Sequence, residues 1–360
     1  MSRLFSGKNN SCALNFIPIF IVAILLLVLW WLWSASPETV YRIIRYNTSG
    51  IDDYKVFPSR SLQASQKPFH FQVSSDATKI PQIITVGEKD ISLDTLLQSN
   101  DTIAFLIIKN DTLVFERYYN GGSQSSASLS FSMAKSFLSI LIGCAIDDGY
   151  IQSVDQPVTD FIPELATNGF DRVSIKHLLQ MTSGMDYAEN DNPFGIHPRF
   201  YYTTHLENEI LKLKLRGEPG QQYSYKSGEN ALLGLILTRA LGTKTITEYM
   251  QERLWEPLGM EYNGAWSLDH KGDGLEKTWC CLSATARDFA KFGRLYLNYG
   301  DWNGKPIVSR NWIEQSTKID ISEGSTWNHQ YQWWLVSQEG NAYMAIGHLE
   351  QYLYINPASN

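Results

Sequence analysis

From Phe16 to Trp33 the chain runs FIPIFIVAILLLVLWWLW, eighteen residues without a charge. No other feature restricts the fold as severely, because a helix apolar on every side has no face to offer water. At 1.5 Å rise per residue such a run just spans a hydrocarbon layer about 30 Å thick. Trp30, Trp31 and Trp33 gather at one end, where amphipathic rings favour the headgroup region. Pro18 lies near the other end, where a membrane helix tolerates it. The rival reading is a cleaved signal peptide, with Ser34-Ala35-Ser36 as its small residues. The run exceeds the usual apolar core of such a peptide and Pro37 follows the candidate cleavage site, so an uncleaved signal-anchor is expected. Arg3 and Lys8 precede the run and Arg42 and Arg45 follow it, a nearly balanced count. A short tail before a long globular part favours an inward N-terminus and an exported body, periplasmic if the source is bacterial. The expected organisation is a tail over 1–13, a transmembrane anchor over 14–34 in contact with lipid, a stalk and approach segment over 35–81, and one domain over 82–360.

The remaining length is ample for a sizeable core. Lys and Arg number 30 against 37 Asp and Glu, a formal net charge of -7, which argues against a nucleic-acid binder. No repeat of solenoid or propeller length is visible. The four cysteines form no C-x-x-C, so a zinc ribbon or thioredoxin-like site has no support. Cys144 lies in an apolar run and reads as a small buried hydrophobe. The cysteines leave the redox compartment open.

Residues 103–119 read as two strands around a Lys109-Asn110-Asp111 turn. Residues 130–148 read as a helix, with hydroxyls first, an apolar body and Gly149 as the stop. Further helices are expected from Ser174 to Gln180, Asn230 to Leu241, Ile246 to Leu254 and Thr285 to Tyr299. Strands are expected over 331–336, 342–346 and 351–355. Strands thus flank a mostly helical middle, which implies an α+β fold with an antiparallel sheet built from both chain ends and a helical lobe beside it. A cleft between the two is the natural place for a site.

There is no H-E-x-x-H, no Walker-type loop, no G-x-G-x-x-G after a strand and no G-x-S-x-G. One S-x-x-K exists, Ser132-Met133-Ala134-Lys135. A spacing of three places Lys135 one helical turn from Ser132 on the same face. A serine hydroxyl needs a base to become nucleophilic, and a partly buried lysine can serve. The alternative is an N-cap serine beside a solvated lysine. A second feature is Tyr225-Lys226-Ser227-Gly228, where a tyrosine near an ammonium can shuttle protons, or where the chain merely turns. A third is Gly347-His348-Leu349-Glu350-Gln351. His348 there either faces a substrate or plays a structural part.

In this order and at these separations, the three motifs resemble the penicillin-recognising serine hydrolases: class C β-lactamases, D-alanyl-D-alanine carboxypeptidases, and the esterase and 6-aminohexanoate-dimer hydrolase branch. The resemblance runs from about Ile103 to the C-terminus. It includes Asp147-Asp148-Gly149, residues 157–163 (PVTDFIP), residues 177–184 (HLLQMTSG), residues 255–260 (WEPLGM) and residues 286–294 (ARDFAKFGR). The Tyr-Lys-Ser-Gly form and the histidine look closest to the hydrolase and esterase branch. The resemblance implies a β-lactamase-like fold. It makes Ser132 the acylated nucleophile, Lys135 its base partner, Tyr225 the acid/base for leaving group and water, and His348 the third-motif residue beside the substrate. It further implies an oxyanion hole from the backbone N–H groups of Ser132 and Gln351.

This chain departs from the family in having Glu350 where a glycine usually ends the third motif, and Ser227 where Asn is commoner. The family also continues with another strand and a C-terminal helix, whereas this sequence ends at Asn360, so a shortened or degraded copy is one expectation. The function expected is an anchored serine hydrolase cleaving a small ester or amide without a cofactor. The alternatives are D-alanyl-D-alanine carboxypeptidase or β-lactamase activity, and a non-catalytic binding protein on the same scaffold.

Overall fold

The computed structural model describes residues 18–23, 25–26, 36–74, 80–339 and 341–359. The expected anchor over 14–34 lies largely outside these residues. Its described pieces, 18–23 and 25–26, are helical, and among the described residues no helix is long and apolar enough to cross a membrane.

In chain order, the elements that build the site are helix α1 (Pro37–Tyr46), strands β1 (Ser59–Leu62), β2 (Ala104–Lys109), β3 (Thr112–Tyr118) and β4 (Ala127–Leu129), and helices α2 (Ala134–Asp147), α3 (Ile175–Leu179), α4 (Ile196–Tyr202) and α5 (Ser227–Leu241). Strands β5 (Gly264–Ser267) and β6 (Leu282–Thr285), helix α6 (Ala286–Leu297) and strands β7 (His329–Gln330), β8 (Trp333–Leu335), β9 (Tyr343–Gly347) and β10 (Gln351–Ile355) follow.

Residues 36–74, read from the sequence as a stalk and approach segment, pack on the body. Ser36 caps α1 by accepting from Thr39 N at 3.2 Å, and Thr39, Val40 and Ile43 turn inward. Tyr201 on α4 donates to Asp53 at 2.7 Å. Strand β1 pairs with β5 in a sheet of order β1-β5-β6-β4. The sequence conceals this because β1 is SRSL, four residues with only Leu62 buried, too short and too polar to show a period.

The β2–β3 hairpin turns at Asn110 and Asp111, both left-handed (φ 50° and 58°), as a tight hairpin requires. Strands β7 to β10 form an antiparallel meander in sequence order. The α+β expectation holds, but its single sheet does not. Among the described residues the hairpin and the meander are separate sheets, and α6 packs against both β2 and β10. Alternating hydrophobicity reveals that a strand has a buried face, but not which distant strand lies beside it.

Helix α2 is buried continuously from Ala134 to Ala145, and α5 from Ser227 to Leu237. The two pack on each other at the centre, the place for helices without a polar stripe. Phe137 of α2 stacks on Phe292 of α6 at 3.8 Å, and Phe292 stacks in turn on Trp333 of β8 at 5.9 Å. This aromatic column fixes α2 against the meander that carries the third motif. Phe137→Ala is expected to lower stability by about 3–5 kcal/mol in denaturant titration, since Phe137 is 1% exposed. A loss below about 1 kcal/mol would mean the column carries little of the packing.

Candidate active site

After β4 the chain reverses at Phe131, a non-glycine residue with φ of 43°, while Ser130 N holds Leu282 O of β6 at 2.8 Å. Residues 131–133 then form a single 3-10 turn that runs directly into α2. Ser132 sits half-buried on this turn, and Lys135 is 1% exposed one turn on. Lys135 Nζ donates to Ser132 Oγ at 2.8 Å and to the Trp279 carbonyl at 3.0 Å, and lies 5.0 Å from the Tyr225 ring centroid. The alternative of a capping serine beside a solvated lysine is thereby excluded. A buried amino group needs hydrogen-bond partners, and one of these is the candidate nucleophile.

Tyr225 stands just before α5, so the N-terminal ends of the two central helices converge. Its ring is stacked on Trp334 at 5.7 Å and meets His329 edge-on at 6.0 Å. Burial, aided by the charge of Lys135, pushes the His329 imidazole down to about 3, so it is a neutral wall for the tyrosine. Ser227 N and Oγ both donate to Glu189, at 2.7 and 2.5 Å. The third residue of the second motif is therefore tied to a loop carboxylate. Tyr187 OH hydrogen-bonds His197 Nδ1 at 3.1 Å, and Glu189 lies 3.4 Å from that same nitrogen. Burial lowers the His197 pKa, opposed by Glu189 and reinforced by Lys135 and His348. Gly228 is required here, since a Cβ would stand 2.5 Å from the Tyr187 ring. Sequence reasoning missed Glu189, Tyr187, His197, His329 and Trp334. None lies in a motif; the density of polar and aromatic groups over 187–197 is a signal that could have found the first three, and His329 and Trp334 carry none.

The third motif is the turn between β9 and β10. Gly347 pairs with Gln351 across it, and a Cβ on Gly347 would meet Ser130 O at 2.3 Å. The turn thus touches the backbone beside the candidate nucleophile. His348 is exposed, with its ring edge-on to Phe131 at 5.4 Å. Gln351 is half-buried at the start of β10, and its Nε2 donates to Leu349 O at 3.2 Å. Leu349 and Glu350 both adopt left-handed backbone, φ 59° and 60°, with Glu350 exposed. The five residues singled out from the sequence are therefore brought to one place, with Ser132 and Lys135 in direct contact and Tyr225, His348 and Gln351 around them.

The sequence model of the family described as Beta-lactamase matches residues 94–360. The chain belongs to the β-lactamase family. It is 27% identical over 293 residues to the 6-aminohexanoate-dimer hydrolase of Paenarthrobacter ureafaciens, covering 74% of this chain and 73% of that one. Among solved structures, it is similar to a Bacillus anthracis protein provisionally assigned as a 6-aminohexanoate-dimer hydrolase, with a TM-score of 0.74 and 24% identity over 91% of this chain and 87% of the other. It is also similar to a penicillin binding protein from Bacillus halodurans, with a TM-score of 0.60 and 17% identity over 74% and 92% of the two chains. These structural likenesses show the β-lactamase-like α+β fold.

Three further features of this β-lactamase-family chain bear on its chemistry. Cys280 and Cys281 form a disulfide immediately after Trp279, whose carbonyl holds Lys135. Cys144 is free and buried, as read from the sequence, and burial pushes its thiol up to about 12. Glu229, in the first turn of α5, is fully buried and accepts from Ser183 Oγ at 2.8 Å. Burial raises its carboxyl to about 8, against the opposing pull of Ser183 and Lys226. Between its ordinary 4.5 and about 8 the folded protein holds a proton that the unfolded chain releases, so this group makes stability fall as pH rises across that window. Glu229→Gln, isosteric and uncharged, is expected to raise the melting temperature at about pH 8–9 and to leave it nearly unchanged at about pH 4. Parallel melting profiles for the two proteins would contradict this.

Proposed function

We propose that this chain is a membrane-anchored serine hydrolase that cleaves a small ester or amide through an acyl-enzyme on Ser132. The observation that carries the reading is the 2.8 Å contact between Ser132 Oγ and a buried Lys135. Lys135, acting as the free amine, takes the Ser132 proton as Oγ attacks the substrate carbonyl, and so becomes an ammonium. The oxyanion is held by the backbone N–H groups of Ser132 and Gln351, each such donor supplying about 3 kcal/mol. Tyr225, beside the lysine, delivers a proton to the leaving group, and the same groups then activate the deacylating water. Every proton is moved by Ser, Lys and Tyr. His348 and His197 flank the space the substrate would occupy.

The curated and structural relatives named as 6-aminohexanoate-dimer hydrolases support a small amide or ester as substrate. A histidine in place of the lysine of K-T-G weighs against D-alanyl-D-alanine carboxypeptidase or β-lactamase activity. The direct Ser132–Lys135 contact weighs against a non-catalytic protein. The anchor rests on the apolar run over 16–33.

Treatment with a fluorophosphonate is expected to add one adduct on Ser132 by mass spectrometry, and none in Ser132→Ala. Lys135→Met should slow labelling by about 10²-fold or more, and Tyr225→Phe should slow ester turnover by about 10²-fold while leaving the fold intact. Equal labelling of wild type and Ser132→Ala would overturn the mechanism. Faster acylation by labelled penicillin than by simple esters would favour the carboxypeptidase reading.

A further inference from the structure

The tether between the apolar run and the folded body is very short. Trp33 ends the run, and Ser36 already belongs to the body: its Oγ caps α1, hydrogen-bonds Thr39 Oγ1 at 2.7 Å and reaches Thr204 Oγ1 at 3.4 Å. Three peptide steps separate the two, roughly 11 Å at full extension. A body held that closely cannot stand away from the surface in which the run is anchored.

Helix α1 is the element at that junction, and it has two faces. Thr39, Val40 and Ile43 are buried against the body, while Pro37, Glu38, Tyr41, Ile44 and Arg45 are exposed on the other side. Tyr41 is 61% and Ile44 70% exposed, one helical turn apart. Glu38 is paired with Arg42 at 2.7 Å, whereas Arg45 lies over the Tyr46 ring at 5.7 Å. A tyrosine, an isoleucine and a flanking arginine on one face match the headgroup boundary: the apolar groups enter it, and the tyrosine hydroxyl and the guanidinium stay in its polar layer.

We propose that the outer face of α1 docks on the phospholipid surface, so that the body lies on the bilayer in a fixed orientation. The inference rests on the anchor reading above. It also positions the catalytic cleft. Tyr46 of α1 stacks on Tyr202 of α4 at 6.3 Å, and α4, roughly 10 Å long, carries His197 of the site wall near its other end. One short helix thus connects the lipid-facing side to the cleft.

The test uses the full chain in a Cys12→Ser background, with Ile44→Cys labelled by an environment-sensitive nitrobenzoxadiazole. The protein is reconstituted in vesicles of phosphatidylcholine with a minority of phosphatidylglycerol. Flotation in a density gradient reports the anchor, and probe emission reports the docking. The proposal expects the protein to float, with a blue shift, a severalfold gain in emission and quenching by lipids doxyl-labelled near the headgroup. Adding Tyr41→Glu should remove most of that gain while flotation and hydrolysis of a soluble ester stay unchanged. Flotation with a probe that remains aqueous would overturn the docking and leave the anchor standing. Failure to float would overturn the anchor, and the docking with it.

Discussion

The Lys135 amino group, buried between Ser132 Oγ and the Trp279 carbonyl, is the constraint from which the rest of the site follows. A polar nitrogen withdrawn from water is costly unless it finds hydrogen-bond partners. Here one partner is the candidate nucleophile, and the other belongs to the segment entering β6. That segment is held from several directions: Trp266 Nε1 donates to the carbonyls of Lys277 and Cys280, and Ser267 N to that of Cys281. The disulfide between the adjacent Cys280 and Cys281 lies at the same point. Two central helices and the segment entering β6 therefore meet at a single nitrogen, and the Tyr225 face completes its surroundings.

The third motif shows how far the backbone departs from what its residues prefer. Leu349 and Glu350 are both left-handed, a conformation that is uncommon outside glycine and strained for a bulky side chain. Glu350 stands where the family usually has glycine, and a carboxylate aimed at the expected oxyanion hole beside it would oppose the developing negative charge. The turn resolves this, because Glu350 is exposed while the adjoining Gln351 begins β10. Gly347, packed on Ser130 O, is the position where no other residue fits.

Legibility in the sequence followed the range over which each signal acts. Ser132 and Lys135 were readable because their spacing is a helical one, and the hairpin at Asn110-Asp111 because its turn chemistry is local. Tyr225, His348 and Gln351 were readable through the ordered motifs of a family. Trp279 was not, since it contributes a backbone carbonyl that any residue possesses. Glu189, His197 and Trp334 were not, because each reaches the site from a loop, a short helix or a strand whose place depends on long-range packing. Residues 36–74 carried no period, so their docking on the body and the pairing of β1 with β5 appeared only in the structure. The separation of hairpin and meander into two sheets was hidden for the same reason.

The central claim is that Lys135 activates Ser132 for acyl transfer. Stopped-flow hydrolysis of an activated p-nitrophenyl ester tests it most directly, through the burst of p-nitrophenolate that precedes steady turnover. The account predicts a burst of about one equivalent per chain in the wild type, absent in Ser132→Ala and slowed by about 10²-fold or more in a folded Lys135→Met. A wild-type burst rate in Lys135→Met would contradict it.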